Sequence, residues 1–438
     1  MVNPPIMPHD MRQSMRWINL SIASCLLGVL ATSVQAEVSA NSLIASPEPG
    51  WPQWRGPRRD GVSDERGLLQ GWPQGGPKLL WRLDGLGAGW SSPIIVGERI
   101  YITGDVGDDL VVYALDTAGV IQWRVKNGLA WKTPYPGARA CCAYSAGWVY
   151  NLNAHGRLAC LDAASGQEQW AVDILERFKA RNITWALSEC LLVDGPRVIV
   201  TPGGTEALMA GLDKCTGEIL WRTEPLKGDR TSHSSPILFR YAGRRIIANC
   251  SSAHGFGVDA DTGRLLWTIP LKNPHGVNVS TPIYGSGCVF FTTPYAEHGR
   301  LYRLLSDGQG MSAEHVWTSP IDAVTGCGVF IGDTLFVSGY RDVKWWMGID
   351  WQTGKTRCEM KGLTTGAAIY ADQRLYVLDE RGTTALLKPG PDSLEVVSQF
   401  QLTTEQVRDA WTHPVLLDGC LYLRYHDTLW CYDVRQQP

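Results

Sequence analysis

Residues 211–221 read GLDKCTGEILW, and the same phrase returns at residues 160–170 as CLDAASGQEQW and at residues 257–267 as GVDADTGRLLW. Each copy has Asp at its third position, Thr or Ser before a Gly, and Trp at its eleventh position. Asp accepts backbone N–H groups in turns, and Gly adopts a positive φ there at little cost. Each phrase therefore predicts two short strands joined by a tight turn.

Weaker copies extend the repeat along the chain. The copy at residues 114–123 is one residue shorter, and the copy at residues 348–358 has Cys358 in the Trp position. Asp residues at positions 116, 162, 213 and 259 are separated by 46, 51 and 46 residues, a period typical of propeller blades. Degenerate copies lie near residues 304–317, 386–397 and 429–433. The chain therefore contains eight units.

A second phrase precedes the first in each unit. Small residues and a Pro, as in residues 90–93, 279–282 and 411–414, lead into two apolar stretches separated by a turn. This pattern is typical of an antiparallel hairpin. Four short strands per unit make one propeller blade. We therefore predict an all-β fold, an eight-bladed β-propeller of four-stranded antiparallel blades.

The two ends of the chain predict how the ring closes. The last unit ends near Asp433 without a Trp strand, whereas residues 78–82 (KLLWR) form a Trp strand without a unit. We expect this N-terminal strand to complete the final blade and so to remove two exposed sheet edges. The Trp residues of the outer strands should pack on the neighbouring blade, with each indole N–H bonded to a backbone acceptor; these docking residues are Trp81, Trp123, Trp170, Trp221 and Trp267.

The N-terminus predicts export. Arg12 and Arg16 precede a mostly apolar stretch at residues 18–30, and small residues at 34–36 are typical of a signal-peptide cleavage site. An alternative interpretation takes residues 22–25 (IASC) as a lipoprotein box. We therefore predict a periplasmic or extracellular protein without a transmembrane segment in its mature chain. The predicted divisions are a signal peptide at 1–36, an N-terminal extension or cap at 37–77 and a single β-propeller at 78–438.

Composition narrows the class of protein. Hydrophobic residues make up 44% of the chain and charged residues 19%, as in ordinary globular proteins. The formal charge of −3 and the lack of a basic run give no support for a nucleic-acid partner. Residues 51–57 (WPQWRGP), followed by Asp60-Gly61, are rich in Pro and Gly, which favours a loop or cap over the propeller rather than a blade.

The eleven-residue frame resembles the tryptophan-docking repeat of the pyrroloquinoline-quinone (PQQ) propellers, and the resemblance covers nearly all of residues 51–433. Members of this family include quinoprotein dehydrogenases and the propeller lipoprotein of the bacterial outer-membrane assembly machine, which binds no cofactor. The opening residues 51–61 are similar to the start of many uncharacterised secreted propellers with these repeats. The resemblance implies the fold, and it leaves the activity open because the repeat is structural.

Twelve cysteines occur, and most replace small or apolar residues inside strand patterns. We expect buried, unpaired thiols, and the sequence has no CxxC pair or Cys/His cluster at zinc spacing. Cys141-Cys142 allows two interpretations. The adjacent residues can form a vicinal disulfide, which some quinoprotein alcohol dehydrogenases place against the quinone, or they fill the small-residue position at a strand start.

Polar and aromatic residues recur at or just before the starts of innermost strands, which surround the central channel of a propeller. Together they predict a funnel that binds a small ligand or peptide; its residues are Trp185, Glu189, His233, His275, Asn278, Trp411 and His413. No GxSxG or HExxH motif accompanies them, and no catalytic residue or metal ligand is predicted.

The sequence thus favours a non-catalytic binding or protein-interaction scaffold, with a role in envelope biogenesis such as outer-membrane assembly. We expect a monomer with a protein partner or a small ligand or glycan at the channel mouth, and no cofactor. The alternative is a PQQ- and calcium-dependent alcohol dehydrogenase, which would need carboxylate and amide ligands and an Asp base. A third hypothesis is a polysaccharide- or peptide-binding funnel in a degradative pathway.

Overall fold

The computed structural model describes residues 1–2, 42–295 and 298–436. Apart from its first two residues, the predicted signal peptide lies outside the described residues, and so do residues 37–41 of the predicted cap.

The described residues form eight four-stranded antiparallel sheets, as predicted. Each of the first seven blades is a continuous stretch of chain whose strands run in order from the channel to the rim. Blade 1 consists of β2 (Ile94–Val96), β3 (Arg99–Val106), β4 (Asp109–Asp116) and β5 (Ile121–Leu129), and blade 2 of β6 (Ala143–Ser145), β7 (Trp148–Leu152), β8 (Arg157–Asp162) and β9 (Glu168–Asp173). Blade 3 consists of β10 (Leu192–Asp194), β11 (Arg197–Val200), β12 (Ala210–Asp213) and β13 (Ile219–Arg222), and blade 4 of β14 (Ile237–Tyr241), β15 (Arg244–Cys250), β16 (His254–Asp259) and β17 (Leu265–Pro270).

Blades 5 to 8 follow the same order, and β1 (Lys78–Leu83) belongs to the last of them. Blade 5 consists of β18 (Ile283–Gly285), β19 (Cys288–Thr293), β20 (His298–Ser306) and β21 (Met311–Ser319), and blade 6 of β22 (Val329–Ile331), β23 (Thr334–Ser338), β24 (Trp346–Asp350) and β25 (Thr356–Met360). Blade 7 consists of β26 (Gly366–Ala371), β27 (Arg374–Asp379), β28 (Thr383–Pro389) and β29 (Leu394–Gln401), and blade 8 of β30 (Val415–Leu417), β31 (Cys420–Tyr425) and β32 (Thr428–Asp433) with β1. A single helical turn, α1 (Ile174–Arg177), follows blade 2.

The ring closes as the sequence predicts. β1 pairs with β32 in antiparallel register, with Lys78 opposite Asp433 and Leu83 opposite Leu429. A bulge between Leu79 and Trp81 interrupts this register, as similar bulges do in the outer pairs of other blades. The final blade therefore combines both ends of the propeller sequence, and hydrogen bonds between them complete the ring.

The outer-strand Trp residues contact the next blade at the turn of the repeated phrase. The Trp170 ring lies against Gly217, where φ is +74° and an added Cβ would come within 2.8 Å of the ring. Indole Nε1–H groups of Trp81, Trp123 and Trp170 donate to backbone carbonyls at 2.8, 3.1 and 3.1 Å. Nε1 of Trp221 and of Trp267 is buried without an acceptor among the described residues, which differs from the expectation for these two.

Residues 42–77 cross one face of the propeller. Isolated backbone bridges connect this segment to four blades, through the pairs Leu43–Phe239, Trp51–Ile95, Val62–Tyr370 and Leu68–Arg435. We call residues 42–77 the cap. Within the described part of the chain, no helix is both long enough and apolar enough to cross a membrane.

Candidate functional site

The cap closes one end of the channel with two buried arginines. Arg59 donates to the carbonyl oxygens of Cys190, Leu191 and Pro236 at 2.7, 2.9 and 2.5 Å. Arg55 donates to the carbonyl oxygens of Cys327 and Gly328, just before blade 6, and to two carbonyl oxygens of its own loop, at 2.7 to 3.4 Å. Burial lowers the pKa of Arg59 to about 10, so its guanidinium stays charged at neutral pH. Both side chains thus carry positive charge to the channel axis.

Trp54, in the same segment, separates the sealed end from an open funnel. Its indole N–H donates to Thr281 Oγ1 at 3.0 Å, and its ring centre lies 4.3 Å from that of His413. Trp54 contributes to the lining of a cavity of about 440 Å³, at the lower end of the range for ligand sites. We call this cavity the funnel. The cap therefore supplies part of the wall of the candidate site.

Aromatic residues dominate the funnel, and they form two groups. In the first group, the ring centre of Trp411 lies 5.1 Å from that of Trp90 and 5.6 Å from that of Tyr135. The second group joins rings from blades 3, 5 and 6 at 4.9 to 6.4 Å; its members are Trp185, His275, Tyr295 and Tyr340. All of these side chains line the cavity.

One register position recurs around the wall. In seven of the eight blades, the residue four places before the innermost strand lines the funnel; in blade order these are Trp90, Arg139, Ser188, His233, Val279, Thr325 and Trp411. Extended chain places alternate side chains on the same side, so the residue two places further on also faces the channel. Of these seven residues, the sequence analysis predicts His233 and Trp411; Trp90 has the same spacing as Trp411 in the sequence, and this signal could have found it.

The residues two places before the strands form a second ring, which we call the belt. Backbone N–H groups of the belt donate to side chains of the neighbouring blade: Ser92 to Cys141 Sγ at 3.1 Å, Cys141 to Cys190 Sγ at 3.3 Å, and Cys190 to Ser235 Oγ at 2.9 Å. His413 N–H similarly donates to Ser92 Oγ at 3.0 Å. The belt ties adjacent blades together directly below the funnel wall.

The belt also explains the adjacent cysteines. Cys141 faces the channel as a belt residue, whereas Cys142 packs into the apolar core between blades 1 and 2. Successive residues of extended chain point to opposite sides, so the two sulfur atoms diverge. Both residues are free, buried thiols in the structure, and the vicinal disulfide is not formed. The cysteines that we expected to be unpaired, such as Cys160 and Cys250, are also free and buried.

Four of the seven predicted rim residues line the funnel; these are Trp185, His233, His275 and Trp411. A hydrogen bond of 3.1 Å joins His233 Nδ1 and Ser188 Oγ. Burial, with a contribution from the charge of Arg139, lowers the pKa of His233 to about 4. The imidazole is therefore neutral at physiological pH. His275 is exposed, with its ring centre 4.9 Å from that of Tyr295.

The other three predicted residues do not line the funnel. Glu189 is buried below it and accepts hydrogen bonds from Thr201 N at 2.9 Å, Thr201 Oγ1 at 2.6 Å and Asn249 Nδ2 at 3.2 Å. Asn278 Nδ2 donates to two backbone carbonyls, and His413 Nε2 contacts Thr325 O at 3.0 Å. Burial raises the pKa of Glu189 to about 7 and lowers that of His413 to about 3. All three hold strands and loops in place.

Two arginines that the sequence interpretation missed line the funnel. Arg139 lies over the rings of Trp90 and Trp131 at 5.4 and 5.8 Å, and Arg341 lies over Tyr295 and Tyr340 at 4.8 and 5.6 Å. Arg341 and Tyr340 come from the turn between β23 and β24, which carries no repeated motif. Sequence spacing gives no signal for such turn residues, because the turn differs from blade to blade.

The funnel does not fit a calcium-bound quinone. Calcium takes six to eight oxygen ligands, chiefly carboxylates. None of the described residues that line the funnel is Asp or Glu, and Glu189 below it already accepts three hydrogen bonds. Over the described ranges, no group of three or more His, Cys, Asp or Glu residues is arranged to hold a metal ion.

We expect His413→Ala to lower the melting temperature clearly, with a loss of about 2 to 4 kcal/mol, because it removes a buried ring and leaves Thr325 O without its partner. His233→Ala should cost less, about 1 kcal/mol, because this ring lies on the funnel wall, where water can replace its hydrogen bonds with Ser188 and the Ala186 backbone. Differential scanning calorimetry of both variants tests this. Equal destabilisation would contradict the placement of His233 on a ligand-facing wall.

The fold and the repeat define this chain as a β-propeller of the PQQ-like repeat class. A family model described as "Outer membrane protein assembly factor BamB" matches residues 108–357, more than half of the chain. The chain belongs to that family.

Curated relatives match in part. Quinohemoprotein alcohol dehydrogenase ADH IIB of Pseudomonas putida is 30% identical over 159 residues, which make up 33% of this chain and 22% of that protein. The 1-butanol dehydrogenase (quinone) of Thauera butanivorans is 26% identical over 140 residues, which are 30% of this chain and 22% of that protein. The chain thus spans about a fifth of the length of the curated relatives it matches.

Solved structures share the fold. BamB from Moraxella catarrhalis superposes with a TM-score of 0.57 at 15% identity, covering 82% of this chain and 98% of that one. Quinohemoprotein alcohol dehydrogenase from Comamonas testosteroni gives 0.56 at 14% identity, covering 89% and 81%. The computationally designed protein Ika8 gives 0.59 at 10% identity, covering 82% and 100%. Since proteins of such different kinds superpose equally well, the likeness shows the fold alone.

Proposed function

We propose that this chain is an exported, non-catalytic binding propeller and that its ligand site is the funnel. The observation that carries the proposal is the wall itself, in which aromatic rings and two guanidinium groups surround a cavity of about 440 Å³ without an Asp or Glu among the described lining residues. Ligand sites are commonly concave and aromatic with a few placed polar groups. This wall is suited to holding a ligand.

Catalysis by general acid–base chemistry needs a group that exchanges protons near neutral pH. His233 is held neutral by burial, and its ring contacts a hydroxyl rather than a carboxylate. Glu189 has a pKa of about 7, but it is fully buried and bonded to Thr201 and Asn249 below the wall. Glu380, whose pKa burial also raises to about 7, accepts a hydrogen bond from Trp411 Nε1 at 2.8 Å and does not line the cavity. These contacts support binding over turnover.

Family membership supports a place in the cell envelope. The family is described as an outer-membrane protein assembly factor, and export to the periplasm or beyond accords with the signal peptide predicted at residues 1–36. Under this proposal the channel mouth presents its ligand site to the solvent of that compartment. A protein partner at the same mouth would extend the binding role to scaffolding.

The quinoprotein alternative has local sequence identity in its favour, namely 30% with a quinohemoprotein alcohol dehydrogenase. The test is to titrate the purified protein with PQQ by calorimetry, with and without calcium, and then to assay alcohol-dependent dye reduction. We expect no calcium-dependent binding and no dye reduction, because the described wall lacks carboxylate ligands for calcium. Dye reduction that disappears in Trp185→Ala would overturn the proposal and identify the funnel as an oxidoreductase site.

A further inference from the structure

We infer that the funnel binds an acidic sugar, a saturated ring that carries a carboxylate. The inference rests on the proposed function, since it names the ligand class of the same site. It is drawn from the charge of the wall and from the orientations of its aromatic rings.

The Arg139 guanidinium has backbone acceptors for some of its N–H groups but no carboxylate partner among the described residues. Nη1 and Nη2 donate to the carbonyl oxygens of Gly137 and Tyr135 at 2.9 and 2.6 Å. Among the described residues it makes no ion pair with a carboxylate; Asp105 acts on it only at longer range. Burial lowers the pKa of Arg139 to about 10, so the group remains cationic. A partly buried cation without a paired anion favours an anionic ligand.

Arg341 is a second cation on a turn that is fixed in place. Both carboxylate oxygens of Asp322, which is fully buried, accept backbone N–H groups of residues 340–342 at 2.7 to 3.0 Å. Asp322 thus holds the turn and leaves the Arg341 guanidinium over Tyr295 and Tyr340. In the described part of the chain no carboxylate lies within ion-pair distance of this guanidinium. A preorganised guanidinium of this kind is suited to a bidentate bond with a carboxylate.

The two arginines lie on opposite sides of the funnel. Arg139 precedes blade 2 and Arg341 belongs to blade 6, and innermost strands of successive blades contact each other around the ring of eight. Arg55 and Arg59 add two buried positive charges at the sealed end. Positive charge at both walls and below concentrates anions in the cavity.

Ring orientations favour a saturated ring over a flat one. In one group of wall rings the planes meet nearly at right angles, 90° for Trp185 and His275 and 88° for Tyr295 and Tyr340, whereas in the other group Trp411 is tilted by 31° to Trp90 and by 42° to Tyr135. A flat aromatic ligand can stack on only one of two perpendicular faces, whereas the C–H bonds of a sugar ring point outwards and can rest on the electron-rich faces of several rings. A cavity of about 440 Å³ accommodates one or two such rings.

The test compares matched acidic and neutral sugars. Full-length mature protein is titrated with digalacturonate and with its neutral counterpart digalactose, followed by calorimetry and intrinsic tryptophan fluorescence. We expect digalacturonate to bind at least tenfold more tightly, with an affinity that falls as salt is raised. Arg139→Gln and Arg341→Gln should each weaken it by about 10- to 100-fold, and Arg341→Lys by less. Arg264→Gln, an exposed arginine on a turn outside the funnel, is the matched control.

The outcomes separate this inference from the proposed function. Equal binding of both sugars, lost in Trp185→Ala, would overturn the inference and leave the funnel as a binding site. Tighter binding of the flat acid naphthalene-2,6-dicarboxylate than of digalacturonate would overturn the saturated-ring assignment. If none of the three probes binds at about 10 mM, although circular dichroism shows every variant to be folded, the inference is overturned. The proposed function would then rest on the shape and lining of the funnel alone.

Discussion

Deletion of residues 78–82 abolishes cooperative unfolding; this is the expected result of removing the strand through which the two ends of the propeller sequence pair in one sheet. β1 supplies the outer strand of blade 8, and its removal leaves the β32 edge without its hydrogen-bonded partner. Trp81 would also leave the Gly119 turn of blade 1, against which its ring now packs. Blades 1 and 8 would then remain joined by contacts near the channel, such as His413 N–H to Ser92 Oγ, while the rim of blade 8 would lose its outer strand and its contact with blade 1.

Thermal unfolding followed by far-ultraviolet circular dichroism, together with limited proteolysis, measures this effect. Leu79→Ser is a matched control, because Leu79 lies on the same strand with 47% of its surface exposed and the change leaves the backbone pairing intact. A deletion variant that melts cooperatively at the temperature of the parent protein would show that β1 does not close the ring.

Arg59→Ala is expected to destabilise the protein by about 3 to 6 kcal/mol, because three buried carbonyl oxygens lose their donor at once. These carbonyls lie just before the innermost strands of blades 3 and 4, so the cap would lose these three hydrogen bonds to the two blades. The cost falls on the folded state alone, since the same carbonyls are hydrated in the unfolded chain. Arg59→Lys should recover part of the loss, because an ammonium has donors but lacks the planar fork.

Denaturant unfolding with linear extrapolation measures the difference in free energy. Arg66→Ala is the control, since this arginine is exposed on the same cap and, among the described residues, donates only to the neighbouring Glu65 carbonyl. An Arg59→Ala variant as stable as Arg66→Ala would mean that water replaces the guanidinium at no cost. Trp54 lies five residues away, so funnel binding should weaken together with stability.

The fold could be predicted because local and long-range signals agree. The Asp, Gly and Trp of each phrase specify a turn and an outer strand, and the period repeats this arrangement until a ring forms. Even blade 6, where Cys358 replaces Trp, forms the same four strands. The closing strand was predictable because residues 78–82 have the missing part of the last unit.

The site could be predicted only in part, because the direction of a side chain depends on register. Glu189 and Asn278 lie near strand starts, as predicted, but they point between blades and not into the funnel. Trp54 reaches the funnel from the cap, and Arg341 reaches it from a turn without a repeated motif. Contacts between such distant segments follow from the closed ring and leave no pattern in the local sequence.

The wall position four residues before each innermost strand has a consequence for how this fold diversifies. Seven of the eight blades contribute one such side chain to the funnel, while the Asp, Gly and Trp that hold the ring lie at its rim. An exchange at one wall position alters a single sector of the recognition surface and leaves the scaffold untouched. Propellers of one lineage can therefore acquire unrelated ligands sector by sector, and superposition of their backbones would not reveal the difference.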